Sequence, residues 1–428
     1  MKVSAITLGC KVNQYETQAM LAQLAQAGFT ICDGPADVIL INSCTVTAQS
    51  DHKVRQALHR ARRENPDAVL VLTGCMPQAF PERAASLADA DIVLGNANRS
   101  GLTQHILNYL STHQRIVDIE PHGKTFEKMQ VTDFYERTRA FVKIEDGCNR
   151  FCTYCIIPYA RGRVRSKPLE DLRSELAQLG KHGYREVVLT GINLPAYGQD
   201  LGLTLCDAVD AACAVPEIQR VRLGSLEPEQ LSPEVIARLA AQEKLCPQFH
   251  LSLQSGCDAT LRRMNRHYTA DEYRTIVQNL RRVFPNAAIT TDIMVGFAGE
   301  TEEEFQQSLA FAREIAFAKV HVFPYSQRPG TRAADFPGQI QKSEKENRCH
   351  QMIAVTQETR RAFLQQQVGR TEPVLFERRR ENDALEGYTP NYTSVLVSSA
   401  EELTGKILPV KVTEALEDSC RGTLTGQL

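Results

Sequence analysis

Features that would point to a membrane or secreted protein are missing from this sequence of 428 residues. No apolar run approaches the ~18 uninterrupted residues that a membrane-spanning helix needs. The N-terminus, Met1-Lys2-Val3-Ser4, lacks the apolar stretch and the small-residue cleavage site of a secretory leader. The formal net charge is only −2, which argues against a generally basic surface but permits a local basic face. We therefore expect a cytoplasmic protein with no membrane association.

Recognisable acid–base machinery is also missing, because no catalytic triad or paired-carboxylate motif stands out. There is no internal repeat and no low-complexity tract. Cysteine, in contrast, is abundant, with 13 residues. In a reducing compartment an odd number of cysteines indicates metal or redox chemistry rather than disulfides. The positions of the cysteines are therefore the main clue to function.

Three short β-branched runs near the N-terminus each end in a cysteine. They cover residues 3–10, 38–44 and 69–75, and helical patterns lie between them. Such runs are typical of buried parallel strands, and strand–helix alternation predicts a doubly wound sheet. The sequence therefore predicts an N-terminal α/β domain with a doubly wound parallel sheet over residues 1–112.

A second strand–helix series follows a polar segment, 113–138, that we interpret as a linker. Its strand candidates are residues 141–146, 185–190, 219–224, 248–254, 288–295 and 319–324. Six such units fall short of the eight in a closed barrel, so residues 139–369 are predicted to form a partial (βα)6 barrel. The short alternating segments of residues 370–428 predict a small all-β barrel.

A C-x3-C-x2-C run directly follows the first strand of the central series. It consists of Cys148, Cys152 and Cys155, which we call the loop cysteine set. Because sites in α/β folds form at the carboxyl ends of strands, a loop here can wrap three thiolates around an iron–sulfur cluster and leave one iron open. A structural zinc site is the alternative, but zinc usually takes four protein ligands, and no fourth lies nearby in sequence.

Cys10, Cys44 and Cys75 form a second group, which we call the N-terminal cysteine set. Each ends a predicted strand of one parallel sheet, so all three should meet at the same carboxyl edge and could hold a second cluster. Free cysteines are often simply buried. Here, however, each of the three predicted strands ends in a cysteine, which favours a ligand that all three share. The remaining cysteines show no common pattern and are interpreted as core or surface residues: Cys32, Cys206, Cys213, Cys246, Cys257, Cys349 and Cys420.

These cysteines lie in a chain that resembles the methylthiotransferase family of radical S-adenosylmethionine (SAM) enzymes over nearly its full length. The resemblance is carried by residues 147–162, 189–193, 250–256 and 292–297. Members of that family have an N-terminal cluster domain, a central radical SAM domain and a C-terminal TRAM domain. The resemblance assigns these three names, in order, to the three predicted domains.

The resemblance implies two 4Fe-4S clusters and SAM as cofactors. The loop cysteine set would hold the cluster that cleaves SAM to a radical. The N-terminal cysteine set would hold an auxiliary cluster that carries the sulfur to be methylated and transferred. SAM would then serve both as methyl donor and as radical source, and we expect the two clusters to face one cavity.

The resemblance also places several residues beside SAM. They are Tyr154, near the adenine, with Thr190, Gly191, Asn193, Ser252 and Gln254 at the ends of two strands. Each has an ordinary structural alternative, because an aromatic ring packs readily in a core and short polar side chains satisfy turns or helix caps.

Residues 8–16, 44–47 and 321–326 resemble the branch of the family that modifies threonylcarbamoyladenosine in tRNA. The implied reaction adds a methylthio group to carbon 2 of that nucleoside at position 37, beside the anticodon. The same chemistry on isopentenyladenosine in tRNA, or on an aspartate of a ribosomal protein, is the alternative. An iron–sulfur sensor or electron carrier without SAM chemistry is an alternative of another class.

The implied partners are a tRNA anticodon loop and an electron donor such as flavodoxin or ferredoxin, while the sulfur source is not indicated. Candidate RNA contacts are Arg161, Arg163 and Arg165 beside the cysteine loop, and Arg378, Arg379 and Arg380 near the C-terminus. The segment from Arg370 onward is acidic overall, which does not suit a purely electrostatic grip on phosphates.

Overall fold

The computed structural model describes residues 1–131, 138–380 and 383–425 as a mixed α/β protein. Its strands are β1 Lys2–Thr7, β2 Thr30–Ile31, β3 Val38–Ser43, β4 Val69–Gly74, β5 Ile92–Leu94, β6 Ile116–Asp118, β7 Arg139–Lys143, β8 Glu145–Asp146, β9 Arg165–Ser166, β10 Glu186–Thr190, β11 Arg220–Leu223, β12 Ser225–Leu226, β13 Gln248–Leu251, β14 Ala288–Val295, β15 Lys319–Pro324, β16 Thr371–Arg379, β17 Ala384–Tyr388, β18 Ser394–Ser398, β19 Ile407–Ala415 and β20 Cys420–Leu424. Its α-helices are α1 Lys11–Gln26, α2 Ala48–Glu64, α3 Cys75–Ala79, α4 Pro81–Ala85, α5 Leu102–Thr112, α6 Ile157–Arg161, α7 Leu169–Lys181, α8 Leu205–Cys213, α9 Pro233–Ala240, α10 Asp258–Arg263, α11 Ala270–Val283, α12 Glu302–Ile315 and α13 Lys342–Gln365. Among the described residues, none of these helices has the length and apolar character needed to cross a membrane.

The N-terminal region is a six-stranded parallel sheet in the order β2-β1-β3-β4-β5-β6. Alternate residues of β3 face opposite layers of helices, since Leu40 packs in a core with Met20 of α1 and Ile41 packs in a core with Leu58 of α2. This arrangement confirms the doubly wound α/β fold. β6 lies within the predicted linker and adds a sixth strand, so the sheet extends to Asp118.

The central region contains six parallel strand positions that curve into an open barrel. β7, β10 and β11 form one sheet and β12, β13, β14 and β15 form another. Gly224 alone separates β11 from β12, and a bridge between Val221 and Leu245 joins the two sheets. Apolar residues of α7, α11 and α12 pack on the outside of these strands, which confirms the predicted partial barrel.

The C-terminal region is a closed barrel of five strands in the order β16-β17-β18-β20-β19. Its interior is apolar and includes Val374, Phe376, Val395 and Val410. The predicted small all-β barrel is therefore confirmed. Because closure pairs both edges of the sheet, the described residues 371–380 and 383–425 leave no strand edge of this barrel to associate with other chains.

The small barrel covers the amino ends of three central strands through a buried charge cluster. Glu186 at the start of β10 accepts hydrogen bonds from Arg222 (2.6 Å), Arg139 (3.4 Å) and Arg220 (3.4 Å). Arg222 also donates to the carbonyls of Thr389 (2.8 Å) and Pro390 (2.6 Å), which precede β18. The arginines therefore bind the small barrel to the floor of the central barrel.

We expect Glu186→Gln to lower the free energy of unfolding by about 3–5 kcal/mol, because it leaves buried arginines without their carboxylate. Urea unfolding at neutral pH measures this change. Glu170→Gln is the matched control, since Glu170 is 80% exposed and pairs with Arg173 on the surface. That control should change the free energy of unfolding by less than about 1 kcal/mol. Equal effects of the two variants would contradict a stabilising role for the buried charge cluster around Glu186.

Candidate cofactor site

The N-terminal cysteine set lies at the carboxyl edge of three neighbouring strands, as expected. Cys10 caps α1 after β1, Cys44 follows β3, and Cys75 begins α3 directly after β4. Gly9 has a φ of +117°, and a Cβ atom there would lie 2.9 Å from the Cβ of Cys44. Glycine is therefore required for the loops of Cys10 and Cys44 to approach each other.

Burial is the main reason that the pKa of the Cys75 thiol is raised to about 11; the charge of Arg161 opposes this shift, and the nearby Cys44 and Cys10 add to it. Such thiols lose their protons readily only when a metal takes their place. In the described part of the chain, no three His, Cys, Asp or Glu side chains are grouped around a point where a single metal ion would sit. The thiolates of an iron–sulfur cluster bind different irons and do not need to converge in that way.

The loop cysteine set follows β8 at the mouth of the central barrel. The main-chain N–H of Arg150 donates to Cys148 Sγ (3.5 Å), and Arg266 Nη1 donates to Cys152 Sγ (3.5 Å). Burial raises the pKa of Cys148 to about 12. The loop thus supplies three thiols together with donors that would stabilise ligating thiolates.

Beside this loop, three buried oxygen atoms have no hydrogen-bond partner in the described structure. They are Glu145 Oε1, Asn193 Oδ1 and Gln254 Oε1. Glu145 Oε2 accepts from the main-chain N–H of Asn193 (2.7 Å), so two of these side chains are adjacent. Because a buried acceptor without a donor is costly, these atoms fit a ligand that brings its own donors, such as the amine and hydroxyl groups of SAM.

Close packing around Glu145 explains why residue 191 is a glycine. A Cβ atom on Gly191 would lie 2.6 Å from Glu145 Oε2. Thr190 is buried at the end of β10. Burial raises the pKa of Glu145 well above its ordinary value, although hydrogen bonds from main-chain N–H groups oppose the shift.

The remaining two SAM candidates line the same mouth. The carbonyl of Ser252 accepts from Arg266 Nη2 (2.8 Å) and from the Tyr268 hydroxyl (2.7 Å). The ring of Tyr154 meets Phe297 edge to face at 6.3 Å. Arg266 thus joins Ser252 to the loop cysteine set, since it also donates to Cys152 Sγ.

A fully buried arginine joins the N-terminal cysteine set to the strand that precedes the loop cysteine set. Arg161, at the end of α6, donates from Nε to Cys75 Sγ (3.3 Å) and from Nη2 to Asn13 Oδ1 (2.8 Å). It also donates from Nη1 to Glu16 Oε1 (2.5 Å) and to Asp146 Oδ1 (3.3 Å). Arg161 thus connects Cys75 with β8, the strand that ends two residues before Cys148.

Further buried charges complete this network. Lys143 on β7 pairs with Glu16 (2.7 Å) and Asp146 (2.6 Å), and Arg99 pairs with Glu16 (2.6 Å). Burial alone would raise the pKa of Glu16, but Arg161, Arg99 and Lys143 hold it well below its ordinary value. Glu16 is therefore charged at neutral pH and anchors the interface.

A second arginine joins the loop of Cys44 to the central barrel. Arg328, in the loop after β15, donates to Asp51 Oδ2 (2.9 Å) and to Thr45 Oγ1 (2.8 Å). Ser326 Oγ accepts from the main-chain N–H of Ala48 (3.2 Å). The N-terminal sheet is thus fixed over the barrel mouth from two sides.

Sequence reasoning missed Glu145, Arg266 and the partners of Arg161. The available signal was the occurrence of Lys143, Glu145 and Asp146 in or beside a strand predicted to be buried. Charged residues in such places are rarely tolerated unless they are paired or bind a ligand.

The structure corrects part of the predicted RNA-contacting set. Arg161 and Arg165 are buried, and Arg165 Nη2 donates to the carbonyl of Arg161 (3.0 Å). Neither guanidinium is accessible to an RNA phosphate. Both positive charges were predicted to lie on the surface, but they form their contacts inside the interface between the domains. Arg163, in contrast, is exposed and lies over the ring of Phe151 (4.8 Å).

The C-terminal arginines are accessible but partly neutralised. The side chains of Arg378 and Arg380 are 67% and 42% exposed, and both pair with Glu386. Burial alone would raise the pKa of Glu386, but hydrogen bonds from the two arginines lower it to about 2. Arg379 donates to main-chain carbonyls, including that of Ser399 (2.9 Å).

Comparison with protein families identifies each of the three regions. Residues 142–312 match the Radical SAM superfamily, residues 2–95 match a family described as uncharacterized protein family UPF0004, and residues 365–425 match the TRAM domain.

Two relatives are named threonylcarbamoyladenosine tRNA methylthiotransferase MtaB. The one from Bacillus subtilis is 38% identical over 96% of this chain and 93% of its own length. The one from Thermotoga maritima is 39% identical over 90% of this chain and 89% of its own length. A tRNA-2-methylthio-N(6)-dimethylallyladenosine synthase from Pelotomaculum thermopropionicum is 34% identical over 97% of this chain and 95% of its own length.

Among solved structures, the radical SAM methyltransferase TsrM from Kitasatospora setae has a TM-score of 0.58. It covers 78% of this chain and 76% of its own, at 14% identity. This likeness shows a shared fold.

We expect Arg161→Met to lower the free energy of unfolding at pH 7 by about 3–5 kcal/mol, because it leaves buried carboxylates with fewer partners. The difference from the wild type should shrink as the pH falls below 4.5, the ordinary pKa of Glu16. The folded-state pKa of Glu16 is depressed, so the stability it contributes is present above its ordinary pKa and is lost in acid. Urea unfolding across this pH range measures both effects.

Arg163→Met is the control for this experiment. It removes an exposed arginine from the same loop and should change stability by less than about 0.5 kcal/mol. A destabilisation by Arg161→Met that stays constant with pH would contradict the role of charge pairing.

Proposed function

The chain belongs to the radical SAM tRNA methylthiotransferases, and we propose that its two cysteine sets each hold a 4Fe-4S cluster. As a member of that family it is an enzyme that uses a 4Fe-4S cluster and SAM to transfer a methylthio group. The reaction is the methylthiolation of threonylcarbamoyladenosine in tRNA, at carbon 2 of the base at position 37. The observation that carries the two-cluster proposal is the contact of Arg161 with Cys75 on one side and Asp146, beside the loop cysteine set, on the other.

In this proposal the loop cysteine set holds the cluster that binds SAM. With one electron, such a cluster supplies the reductive cleavage of SAM that activates an unreactive carbon–hydrogen bond. Asn193 and Gln254 would accept hydrogen bonds from SAM through their unpaired buried oxygens, and the unpaired oxygen of Glu145 would be a further polar contact. Thr190, Gly191, Ser252 and Tyr154 shape the walls around it and exclude water.

The N-terminal cysteine set holds the second cluster, which supplies the sulfur for transfer. Arg161 fixes the position of Cys75, and the short loops after β1 and β3 place Cys10 and Cys44 beside it. This rigid placement is needed because a group transferred between two centres requires a defined separation and direction.

We propose that residues 1–112 form the domain of the second cluster, residues 139–369 the SAM domain, and residues 370–428 the TRAM domain, with 113–138 between the first two. Arg163, Arg378 and Arg380 are the exposed candidates for RNA phosphates. A flavodoxin or ferredoxin is the proposed electron donor, and a tRNA substrate favours a cytoplasmic location. The alternative is the same reaction on isopentenyladenosine, the nucleoside also called dimethylallyladenosine, since a tRNA-2-methylthio-N(6)-dimethylallyladenosine synthase is 34% identical.

The substrate is tested by mass spectrometry of tRNA nucleosides from cells that lack this protein. We expect the methylthio derivative of threonylcarbamoyladenosine to disappear and to return when the chain is restored. The methylthio derivative of isopentenyladenosine, measured in the same digests, should stay unchanged. Loss of the latter alone would assign the chain to the alternative substrate.

The two-cluster proposal is tested by replacing each cysteine set with alanine as a triple variant. Replacing the N-terminal cysteine set should lower iron from about eight to about four atoms per chain. SAM cleavage, measured as 5′-deoxyadenosine, should continue, while methylthiolation is lost. Replacing the loop cysteine set should abolish SAM cleavage.

Cys32→Ala is the control, because Cys32 lies outside both cysteine sets and should affect neither iron content nor activity. If the triple variant of the N-terminal set kept about eight irons, the second cluster would have to lie elsewhere.

A further inference from the structure

Three side chains beside the loop cysteine set form an aromatic and cationic patch, which we call the ring surface: Phe151, Tyr159 and Arg163. Phe151 lies inside the cysteine loop, between Cys148 and Cys152. The ring of Tyr159, on α6, meets the ring of Phe151 edge to face, with centroids 6.0 Å apart and planes at 88°. The guanidinium of Arg163 lies 4.8 Å from the centroid of the same ring. Phe151 therefore supports both of the other groups.

The two outer members of the ring surface are available to a ligand. Tyr159 is 50% exposed, and Arg163 is exposed as well. Within residues 1–131, 138–380 and 383–425, the Arg163 guanidinium has no carboxylate partner, and its contact is with Phe151. The neighbouring Arg150, in contrast, pairs with Glu229 (2.9 Å). A flat cation and a flat ring thus face solvent side by side.

The backbone holds the ring surface in place. Phe151 has a φ of +51°, in the left-handed region that bulky residues rarely adopt. Asn265 Nδ2 stabilises this turn by donating to the carbonyls of Arg150 (3.3 Å) and Phe151 (3.2 Å). A Cβ atom on Gly147 would lie 2.0 Å from the carbonyl oxygen of Arg163, so the segment of Arg163 crosses the start of the cysteine loop closely. Strain of this kind persists where the surroundings enforce it, often at ligand sites.

The helix that carries Tyr159 faces the N-terminal domain with its other side. The carbonyl of Ala160 accepts from Asn96 Nδ2 (3.0 Å), and Arg161 donates to Cys75 Sγ (3.3 Å). Ala160 and Arg161 are buried, whereas Tyr159 is exposed. The ring surface therefore lies at the outer edge of the junction between the N-terminal domain and the cysteine loop.

A tRNA substrate creates a need for such a surface. Enzymes that react with a base inside a folded nucleic acid take that base out of its stack. Its removal leaves each of the two flanking bases in the anticodon loop with one uncovered face. Aromatic rings and the planes of arginine side chains stack on such faces. A half-exposed ring beside an unpaired guanidinium therefore suits a base.

We propose that Tyr159 and Arg163 stack on a base that flanks the modified nucleotide, while Phe151 supports them from beneath. The inference rests on the proposed function and adds to it a binding surface for the RNA beside the loop cysteine set. Arg163 then contributes its planar face as well as its charge.

The test uses three anticodon stem–loop RNAs that carry threonylcarbamoyladenosine at position 37. One is intact, and each of the others has an abasic nucleotide on one side of position 37. The Kd of each RNA is measured with the reconstituted holoenzyme. The wild type should bind one of the two abasic RNAs about fivefold or more weakly, as expected for the loss of one stacked base.

Tyr159→Leu should weaken binding of the intact RNA about fivefold or more. It should bind the sensitive abasic RNA as the wild type does, because the ring and the missing base make the same contact. A merely structural role for Tyr159 would instead weaken binding of all three RNAs by the same factor.

Tyr159→Phe keeps the ring and should retain the wild-type Kd. Arg163→Lys keeps the charge but removes the plane, and it should weaken binding of the intact RNA in part. Leu107→Ala is the control, since Leu107 on α5 is 49% exposed, and it should change no Kd. Iron content and dithionite-driven SAM cleavage without RNA should match the wild type in all four variants.

An unchanged Kd in Tyr159→Leu, or equal losses on all three RNAs, would overturn the stacking surface and leave the proposed function standing. If Tyr159→Leu impaired only SAM cleavage driven by reduced flavodoxin, the ring surface would belong to the electron donor and the proposal would fail. A wild type that cleaves SAM but neither binds nor methylthiolates the intact RNA would overturn the proposed substrate, and the stacking surface with it.

Discussion

The buried ion pairs between Glu16 and Arg161 fix the geometry on which the rest of the site depends. Both side chains lack exposed surface, and they come from different domains. Because a buried charge displaced from its partner costs several kcal/mol, the network favours one position of the N-terminal sheet against the barrel mouth. Apolar packing alone tolerates sliding, whereas paired charges accept few alternative positions. The network therefore fixes Cys75 relative to Asp146, which lies two residues before Cys148.

Arginine recurs at the domain boundaries for a physical reason. Arg161, Arg222 and Arg328 each donate to groups from two or more segments of the chain. A guanidinium offers five donors in one plane and stays charged when buried. One residue can therefore satisfy carboxylates and carbonyls from separate domains at once. Lysine, with its compact charge, serves at Lys143 where both partners are carboxylates.

The alternation of strands and helices was sufficient to predict three architectures and the convergence of Cys10, Cys44 and Cys75, because parallel strands must end at one edge. The burial of Arg161 and Arg165 was not predictable in this way. In sequence, the run from Arg161 to Lys167 looks like a basic surface, and only the docking of α1 brings Glu16 to meet it. β6 was missed because a strand of three residues at a sheet edge carries too short a pattern. Local patterns predict elements, while pairing between domains depends on contacts far apart in the chain.

The charged interior of the central barrel follows from its missing strands. A closed eight-stranded barrel fills its interior with layers of apolar side chains, and no room remains for a substrate. Here six strands leave a gap, and the inner wall carries Glu186, Arg222, His250 and Asp292 instead. Such an interior does not collapse, because its charged groups would lose water without gaining sufficient partners. The C-terminal barrel covers its floor, and α1 lies at its side, where Glu16 pairs with Lys143 of β7. An incomplete barrel with a polar lining can therefore admit a polar ligand that a closed, apolar barrel would exclude.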